Sequence, residues 1–203
     1  MTPLLDSIGP FQVLGELGSG GMGAVFLARD PALSRLVAVK VIHAGQWSSS
    51  EARRRFRLEA EAAASLEHPH IVPVYRVDES SSGPFIAMKY LPGGSLGDRL
   101  QEGPLALTDA ARLLTPVARA VEHAHQRGFL HRDIKPSNIL LDESGVPHLG
   151  DFGLAKRMDS DPAVTLTQAP LGTCGYMAPE VARHGAAAAT QAADVYSLGA
   201  VLY

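Results

Sequence analysis

The most informative part of the sequence is His-Arg-Asp-Ile-Lys-Pro-Ser-Asn at residues 131–138, followed by Asp-Phe-Gly at residues 151–153. Between these motifs lie two short apolar runs, at residues 139–141 and 147–149, on either side of a polar turn that contains glycine. Short apolar runs around such a turn predict a β-hairpin. Because a hairpin brings its two ends together, we expect the polar side chains of both motifs to lie close to one another.

The side chains that this hairpin would bring together are Asp133, Asn138 and Asp151, two acids and an amide. All three offer oxygen ligands, which Mg²⁺ prefers together with water and phosphate oxygens. In phosphoryl transfer, positioning and charge neutralisation supply most of the catalysis. The cluster is therefore typical of a phosphoryl-transfer site.

The N-terminal region predicts a strand, a glycine-rich turn and a second strand. The strands are Phe11–Leu17 and Ala24–Arg29, and the turn between them is Gly-Ser-Gly-Gly-Met-Gly at residues 18–23. A dinucleotide-binding fold would instead place such glycines at the start of a helix. Glycine lets the backbone approach a polyphosphate closely and offers N–H donors without a side chain in the way. By itself the segment fits a flexible hairpin equally well.

The strand Val37–Ile42 carries Lys40 in its middle. An isolated lysine at such a position is commonly an edge-strand residue that reaches water. Together with the motifs at residues 18–25, 131–138 and 151–153, however, this strand resembles the pattern of the protein kinases. The resemblance extends over nearly the whole chain, so we expect residues 1–203 to form a partial protein kinase domain.

The kinase resemblance implies an α+β fold with two lobes. The N-lobe, at residues 11–90, would bind the nucleotide with a five-stranded antiparallel sheet and one helix. The C-lobe, at residues 91–203, would be mainly helical and incomplete. The remaining N-lobe elements that we predict from the residue pattern are a helix at Glu51–Leu66 and strands at Ile71–Val77 and Pro84–Tyr90.

The C-lobe begins after a hinge at residues 91–94 and contains one long predicted helix. Thr108 is the expected N-cap of this helix, which would continue to about Arg127. Pro116 lies inside it and should bend it, because proline lacks the N–H for one helical hydrogen bond. Gly128 would end the helix and lead into the catalytic loop.

In the kinase pattern the N-lobe contacts ATP. By resemblance, Lys40 would contact the α- and β-phosphates and Glu59 would hold it in place. Glu61 is the alternative partner, but it points about 200° around the helix from Glu59. Met88 resembles the gatekeeper position, and the backbone after it would bind adenine. The residues expected to bind the nucleotide are Leu17, Gly18, Ser19, Gly20, Gly21, Met22, Gly23, Ala24, Val25, Ala38, Lys40, Glu59, Met88, Tyr90, Leu91 and Leu140.

The resemblance also implies roles for the residues of the catalytic loop. Asp133 would be the base that accepts or orients the proton of the attacking hydroxyl. Lys135 would steady the γ-phosphate as charge develops, and a lysine at this position is similar to the serine/threonine kinases, not the tyrosine kinases. Asn138 and Asp151 would hold Mg²⁺ against the phosphates.

Three other residues are expected to support the catalytic loop without touching the substrate. His131 and Phe152 would stack in the core and set the orientation of Asp151. Asp194, by similarity to the family, would anchor the backbone of the catalytic loop.

The chain stops at Tyr203, part way through what resembles the central helix of the C-lobe. The family arginine that would pair with Glu180 is not in the sequence. We therefore expect a fragment with uncovered apolar surface and marginal stability. A reversible, cooperative melt well above about 50 °C would count against this expectation.

Residues 151–180 resemble an activation segment that ends in Ala-Pro-Glu. Thr165 and Thr167 lie in its middle, where phosphorylation would add negative charge. Arg132 and Lys156 are the nearest cations that such a charge could pair with. The alternative is that both threonines are ordinary loop residues.

Composition limits the other functions that the chain could have. Of its 203 residues, 46% are hydrophobic and 19% charged, which is typical of a soluble globular protein. A net charge of −3 gives no electrostatic case for binding nucleic acid or an acidic membrane surface. Cys174 is the only cysteine, which is compatible with a reducing cytosol. Because neither a signal peptide nor an apolar run of roughly 20 residues is visible, we expect a cytoplasmic chain without a membrane segment within these residues. Membrane attachment through residues after Tyr203 is the alternative that this expectation leaves open.

The preferred interpretation is an ATP- and Mg²⁺-dependent serine/threonine protein kinase, similar to the eukaryotic-like kinases of bacteria. Its partner would be a protein with a serine or threonine acceptor, and autophosphorylation between copies would make a dimer a further partner. One alternative is a catalytically impaired kinase-like scaffold that binds ATP or partners without turnover; the intact acids and Lys40 argue against it. A second alternative is a kinase that acts on small molecules. It is disfavoured because the Ala-Pro-Glu ending of the activation segment suits a peptide acceptor. The interpretation requires Lys40, Asp133, Asn138 and Asp151 to share one nucleotide.

Overall fold

The computed structural model describes residues 6–20, 23–42, 60–61, 64–152 and 175–203. The chain divides into two compact units. The first comprises the chain up to Ser65 together with Pro73–Tyr90, and the second comprises Leu66–Val72 and the chain from Leu91 onwards. The first is built on a β-sheet and the second mainly on helices, which confirms the predicted α+β class.

A single antiparallel sheet forms the first unit, with the strand order β1-β2-β3-β4-β6-β5. The sequence predicted five strands, and the sixth is β1, whose two residues are too few to show an alternating pattern. The strands are β1 (Ser7–Ile8), β2 (Phe11–Gly20), β3 (Gly23–Asp30), β4 (Arg35–Ile42), β5 (Val74–Ser80) and β6 (Gly83–Lys89).

One face of this sheet carries the core of the first unit. Alternate residues of β4 point into it, so Val37 and Val39 are fully buried there. Phe85 of β6 meets Phe11 of β2 edge to face, with ring centroids 6.0 Å apart. Ile8 is buried in the same cluster, which explains why the short β1 joins the sheet. Burying each such side chain is worth about 1.5–3 kcal/mol.

The predicted strand at Ile71–Val77 begins later than expected. Strand β5 starts at Val74, whereas Ile71 forms a parallel bridge with Leu149 in the second unit. Pro73 lies at the change of direction, and its missing N–H cannot take part in a strand ladder. The predicted helix at residues 51–66 falls mostly outside the described residues, of which 60, 61 and 64 are helical.

The second unit contains four helices and a β-hairpin within the described ranges. The hairpin pairs Ile139 with Leu149 and Leu141 with Pro147, as the sequence predicted. A 3₁₀ turn at Pro136–Asn138 leads into it, and another lies at Ala186–Ala188. The named elements are α1 (Leu96–Leu100), α2 (Leu107–Gln126), β7 (Ile139–Leu141), β8 (Pro147–Leu149), α3 (Pro179–His184) and α4 (Gln191–Leu202).

Helix α2 confirms the long predicted helix but not its predicted cap. It starts at Leu107 with Ala106 as N-cap, and no side chain caps it, so Thr108 is already inside the first turn. Pro116 lies within the helix, and Gly128 follows its end with φ +79°. The buried side lies along one helical stripe, formed by Leu114, Val117, Ala120, Val121 and Ala124.

Helix α4 exposes apolar side chains. Val195 is 60% exposed, and Tyr196 and Leu202 are also exposed.

Among the residues that the structure describes, none of the helices combines the length and the apolar character that a membrane-spanning helix needs.

The contact of Gly93 with the hairpin yields a test of the packing. The N–H of Gly93 donates to the carbonyl of Leu141 over 3.0 Å. A Cβ added at Gly93 would lie 2.5 Å from the carbonyl oxygen of Asp142 and 2.7 Å from that of Leu141. Because both neighbours are backbone atoms, we expect Gly93→Ala to reduce the free energy of unfolding in urea by about 1–3 kcal/mol.

The matched control is Gly199→Ala, because nothing lies within 4 Å of the added Cβ at this position in α4. Alanine favours a helix over glycine by up to about 1 kcal/mol, so this variant should be more stable than the parent chain. Changes of the same sign and size in both variants would contradict the packing argument.

Candidate active site

A buried carboxylate fixes the backbone of the catalytic loop. Asp194, in the first turn of α4, is 1% exposed. Its two oxygens accept the N–H groups of His131 and Arg132, each over 2.8 Å. These hydrogen bonds confirm the anchoring role predicted for Asp194. A third contact, 2.8 Å from the Nε2 of His125 to Asp194, was not predicted, because nothing in the sequence pairs residues so far apart.

His131 links the two motifs through both of its ring nitrogens. Its Nδ1 accepts the N–H of Asp133 over 3.2 Å, and its Nε2 lies 2.8 Å from the carbonyl of Gly150. A carbonyl can only accept, so Nε2 carries the proton and the ring is the neutral tautomer. The ring of Phe152 meets that of His131 nearly edge-on, with centroids 4.7 Å apart. The predicted contact between the two rings is confirmed.

Burial of His131 makes the stability of the protein sensitive to acid. Burial lowers the pKa of His131 below its ordinary value of 6.5 and outweighs the nearby carboxylates, which act to raise it. The unfolded chain therefore binds a proton at a higher pH than the folded chain does. The stabilisation is complete above about pH 6.5 and is lost as the pH falls below that value.

We expect the free energy of unfolding, measured in urea at a series of pH values, to fall between about pH 7 and pH 5. His131→Phe, which keeps a ring but cannot titrate, should show a smaller fall. If both proteins lose stability in parallel, His131 is not a source of the acid sensitivity.

Asp133, the predicted base, has a fixed carboxylate. The Nζ of Lys135 lies 2.9 Å from its Oδ2, and the Nδ2 of Asn138 donates to the same oxygen over 3.2 Å. Asn138 also donates to the carbonyl of Asp133 over 2.7 Å. The cation and the amide together set the direction of the carboxylate, and a carboxylate so placed can take a proton from a hydroxyl.

The hairpin places Asn138 opposite the residue that precedes Asp151. The N–H of Gly150 donates to the carbonyl of Asn138 over 2.9 Å. Asp151 therefore directly follows a residue whose backbone is held by a hydrogen bond. Asn138 donates both of its hydrogen bonds to Asp133 through Nδ2. Its Oδ1, with the carboxylate of Asp151, is the kind of oxygen donor that suits Mg²⁺.

Two residues of this site have strained backbones. Arg132 has φ +66° and Asp151 has φ +57°, and Ser34 is the one other described non-glycine residue with positive φ. A left-handed conformation costs such a residue roughly 1–2 kcal/mol. The hydrogen bond from Arg132 to Asp194 helps to maintain it. The sequence carried no signal of this strain, which is common at functional sites.

The glycine-rich segment joins the two predicted strands, but the strands extend further into it than predicted. Gly18 pairs with Val25, Ser19 with Ala24, and Gly20 with Gly23. The prediction of a turn over residues 18–23 is therefore wrong for these four glycine and serine positions, because backbone pairing continues through them, while Gly21 and Met22 lie outside the described residues. Leu17, also predicted to contact the nucleotide, is 46% exposed in β2.

Lys40 lies on an interior strand of the sheet. Strand β4 is paired with β3 on one side and β6 on the other, and Lys40 is opposite Val25 and Ile86. Because β4 has a neighbouring strand on each side, Lys40 is not the edge-strand lysine of the alternative interpretation. Its predicted partner Glu59 lies outside the described residues, whereas Glu61 is helical and exposed.

The remaining residues predicted to bind the nucleotide are found in each unit as follows. In the first, Ala38 and Met88 are paired across β4 and β6 and are buried, and Tyr90 follows β6. In the second, Leu91 is buried and Leu140 lies half-buried in β7.

The middle of the predicted activation segment lies outside the described residues. This applies to Thr165, Thr167, Lys156 and Cys174. Within the described residues, no three His, Cys, Asp or Glu side chains are grouped so that they could hold a metal ion by themselves. Two protein ligands nevertheless fit Mg²⁺, which usually keeps water and phosphate oxygens in its shell.

Comparison with known proteins identifies the family. The model of the protein kinase domain matches residues 11–203. The serine/threonine-protein kinase PrkC of Bacillus subtilis is 41% identical over 196 residues, which cover 96% of this chain and 30% of that protein. PknB of Mycobacterium tuberculosis is 43% identical over 197 residues, covering 94% of this chain and 31% of that protein. The crystal structure of the Mycobacterium tuberculosis PknI kinase domain superposes with a TM-score of 0.75 and 32% identity, over 97% of this chain and 73% of that chain.

The chain thus spans about 30% of the length of the curated relatives named here. The family match covers both units, including the loop around Asp133 and the strand of Lys40. On this match and on the identity to bacterial serine/threonine-protein kinases, the chain belongs to the protein kinase domain family.

Proposed function

We propose that this chain catalyses transfer of the γ-phosphate of ATP to serine or threonine hydroxyls of proteins. The observation that carries the proposal is the carboxylate of Asp133, oriented by Lys135 and Asn138 within a loop that Asp194 anchors. This arrangement supplies a base at a fixed position with a cation beside it, as phosphoryl transfer requires.

In this proposal the roles in the second unit follow from the atoms. Asp133 accepts the proton of the attacking hydroxyl on its carboxylate, and Lys135 balances the charge that develops on the transferred group. Asn138 and Asp151 hold Mg²⁺ through their oxygens. Bound Mg²⁺ supplies charge neutralisation on the phosphate oxygens.

The first unit supplies the nucleotide contacts in the same proposal. The backbone N–H groups of residues 18–23 approach the phosphates, and Lys40 contacts the α- and β-phosphates with Glu59 as its partner. Ala38 and Met88 contact adenine together with the backbone of residues 90–91. The pairing of Ala38 with Met88, and the interior position of Lys40, support this assignment.

The acceptor and the setting are proposed from the relatives. Two named relatives are serine/threonine-protein kinases, and Lys135 is the residue type that resembles that class. A protein with a serine or threonine acceptor is therefore the proposed substrate, and a second copy of the chain is the proposed partner in autophosphorylation. We place this activity in the cytoplasm, where ATP is available.

The direct test is transfer of labelled phosphate from ATP to a generic basic protein, with Mg²⁺ and with excess EDTA. We expect label on serine and threonine after acid hydrolysis, and none with EDTA. ATP binding by fluorescence without any transfer would instead favour the scaffold alternative, and label on tyrosine alone would reject the serine/threonine assignment.

The threonines of the activation segment give a further prediction. We expect the active protein to carry phosphate on Thr165 or Thr167, where new negative charge can pair with Arg132. Mass spectrometry of the protein after incubation with ATP and Mg²⁺ tests this, with the Asp133→Asn variant as the inactive control. If the active protein carries phosphate on neither threonine, this regulatory proposal is wrong.

A further inference from the structure

Four histidines form a row in the second unit, and none of them has a role in the proposed reaction. His68 and His70 lie in the segment at residues 66–72, His123 in α2 and His148 in β8. The ring centroids of His68 and His123 are 5.0 Å apart, those of His68 and His70 5.7 Å, and those of His70 and His148 6.0 Å. We call these four residues the histidine row.

Hydrogen bonds determine the protonation state of His68 and the tautomer of His70. The Nδ1 of His68 accepts the N–H of His70 over 3.2 Å, so the ring in this arrangement is neutral. The Nδ1 of His70 donates to the carbonyl of Pro147 over 2.8 Å. The Nη1 of Arg127 lies 3.2 Å from the Nδ1 of His123. The Nε2 of His123 is buried without a hydrogen-bond partner among the described residues.

The segment that carries His68 and His70 is bonded to the strand that leads to Asp151. The carbonyl of His70 accepts the N–H of Leu149 over 2.8 Å, and the carbonyl of Leu149 accepts the N–H of Val72 over 2.9 Å. Leu149 is the last residue of β8, and Gly150 comes next. Gly150 is hydrogen-bonded to both His131 and Asn138. A displacement of this segment would therefore move β8 and the residues after it.

We propose that the histidine row is a proton-sensitive positioning device, in which neutral His68 keeps residues 66–72 against α2 and β8, and protonated His68 releases them. Protonation removes the acceptor at Nδ1 and places a cation between its neighbours. The release would loosen β8 and shift Asp151.

The charges around His68 favour its neutral form. From α2 it faces His123, from the C-cap of α2 it faces Arg127, and from its own segment it faces His70. From β8 the row includes His148, whose Nε2 lies 3.5 Å from the carboxylate of Asp142. Burial, then His123, His70 and Arg127, lower the pKa of His68 below 6.5.

The lowered pKa of His68 determines how the released state depends on pH. Above about pH 6.5 His68 is neutral in both the folded and the released state, and the segment stays in place. As the pH falls below 6.5, the released state binds the proton more readily, so its population rises. The effect on activity rests on the role proposed for Asp151, whereas the movement of the segment does not.

The test combines histidine NMR titration with amide hydrogen exchange on the full chain. In the wild type we expect His68 to titrate below the pH of a free histidine. We also expect exchange protection of residues 66–72 and 147–152, corrected for intrinsic rates, to fall about threefold or more between about pH 7.5 and 5.5. His68 titrating like a free histidine, with unchanged protection, would overturn the proposal, and this arm needs no variant.

His123→Gln removes one of the groups that oppose protonation of His68. In this variant His68 should titrate at a higher pH than in the wild type, and the loss of protection at acid pH should shrink. His184→Gln is the matched control, because His184 is exposed on α3, away from the row. Equal behaviour of both variants would reject the row as the sensor. If exchange behaves as expected but no phosphate transfer is found, the positioning device stands and the proposed function fails.

Discussion

Asp133→Asn is expected to lower kcat for phosphate transfer by about 10²–10⁴-fold, the usual contribution of a positioned general base. The amide has nearly the shape of the carboxylate but cannot take the proton, and it loses the ion pair with Lys135 at 2.9 Å. Because the nucleotide contacts proposed for the first unit are untouched, KM for ATP should change little. Initial rates of labelled phosphate transfer at a range of ATP concentrations measure both quantities.

Asp109→Asn is the control for this loss of charge. Asp109 pairs with Arg112 on the exposed side of α2, where a salt bridge is worth little. Its kcat should match that of the parent chain. An Asp133→Asn variant that retains most of its activity would show that Asp133 is not the base, even if the family assignment holds.

Asp194→Ala is expected to reduce the free energy of unfolding by about 3–5 kcal/mol, as is typical when one partner of a buried charged network is removed. The substitution leaves the N–H groups of His131 and Arg132 and the Nε2 of His125 without their common acceptor. Buried donors that lose their acceptor incur their full desolvation cost. Urea denaturation followed by circular dichroism measures the change.

Two variants separate the network from a general effect of mutation. Asp109→Ala removes an exposed carboxylate from α2 and should change stability by no more than about 0.5 kcal/mol. Asp194→Asn keeps the volume and one acceptor oxygen, so its loss of stability should be intermediate. If Asp194→Ala is as stable as Asp109→Ala, the network does not anchor the loop.

The two residues are expected to affect activity in different ways. In the proposed mechanism Asp133 acts on the reacting hydroxyl, and its replacement by asparagine should leave the fold and the melting temperature nearly unchanged. Asp194 is hydrogen-bonded to the loop backbone and contacts His125, so its replacement should reduce activity through a loop that is no longer held in place. Comparing stability and kcat for the same variants therefore distinguishes the base from its support.

Local structure in this protein could be predicted from the sequence alone. The apolar run around Lys40 predicted its strand, the apolar runs around residues 142–145 predicted the hairpin, and the apolar side of residues 108–127 predicted α2. These signals are readable because each depends on neighbours within a few residues along the chain. The motif spacing then indicated the family, and with it the anchoring role of Asp194.

Contacts between residues that are distant in the sequence could not be predicted and are known from the structure. It pairs His125 with Asp194, gives Ile71 a partner in Leu149 instead of a place in β5, and sets Asp151 in a left-handed conformation. Each of these depends on which segments pack together, and no periodic pattern records that choice. The left-handed Asp151 directly follows Gly150, which is hydrogen-bonded to both His131 and Asn138, so long-range contacts hold the backbone next to the strained residue.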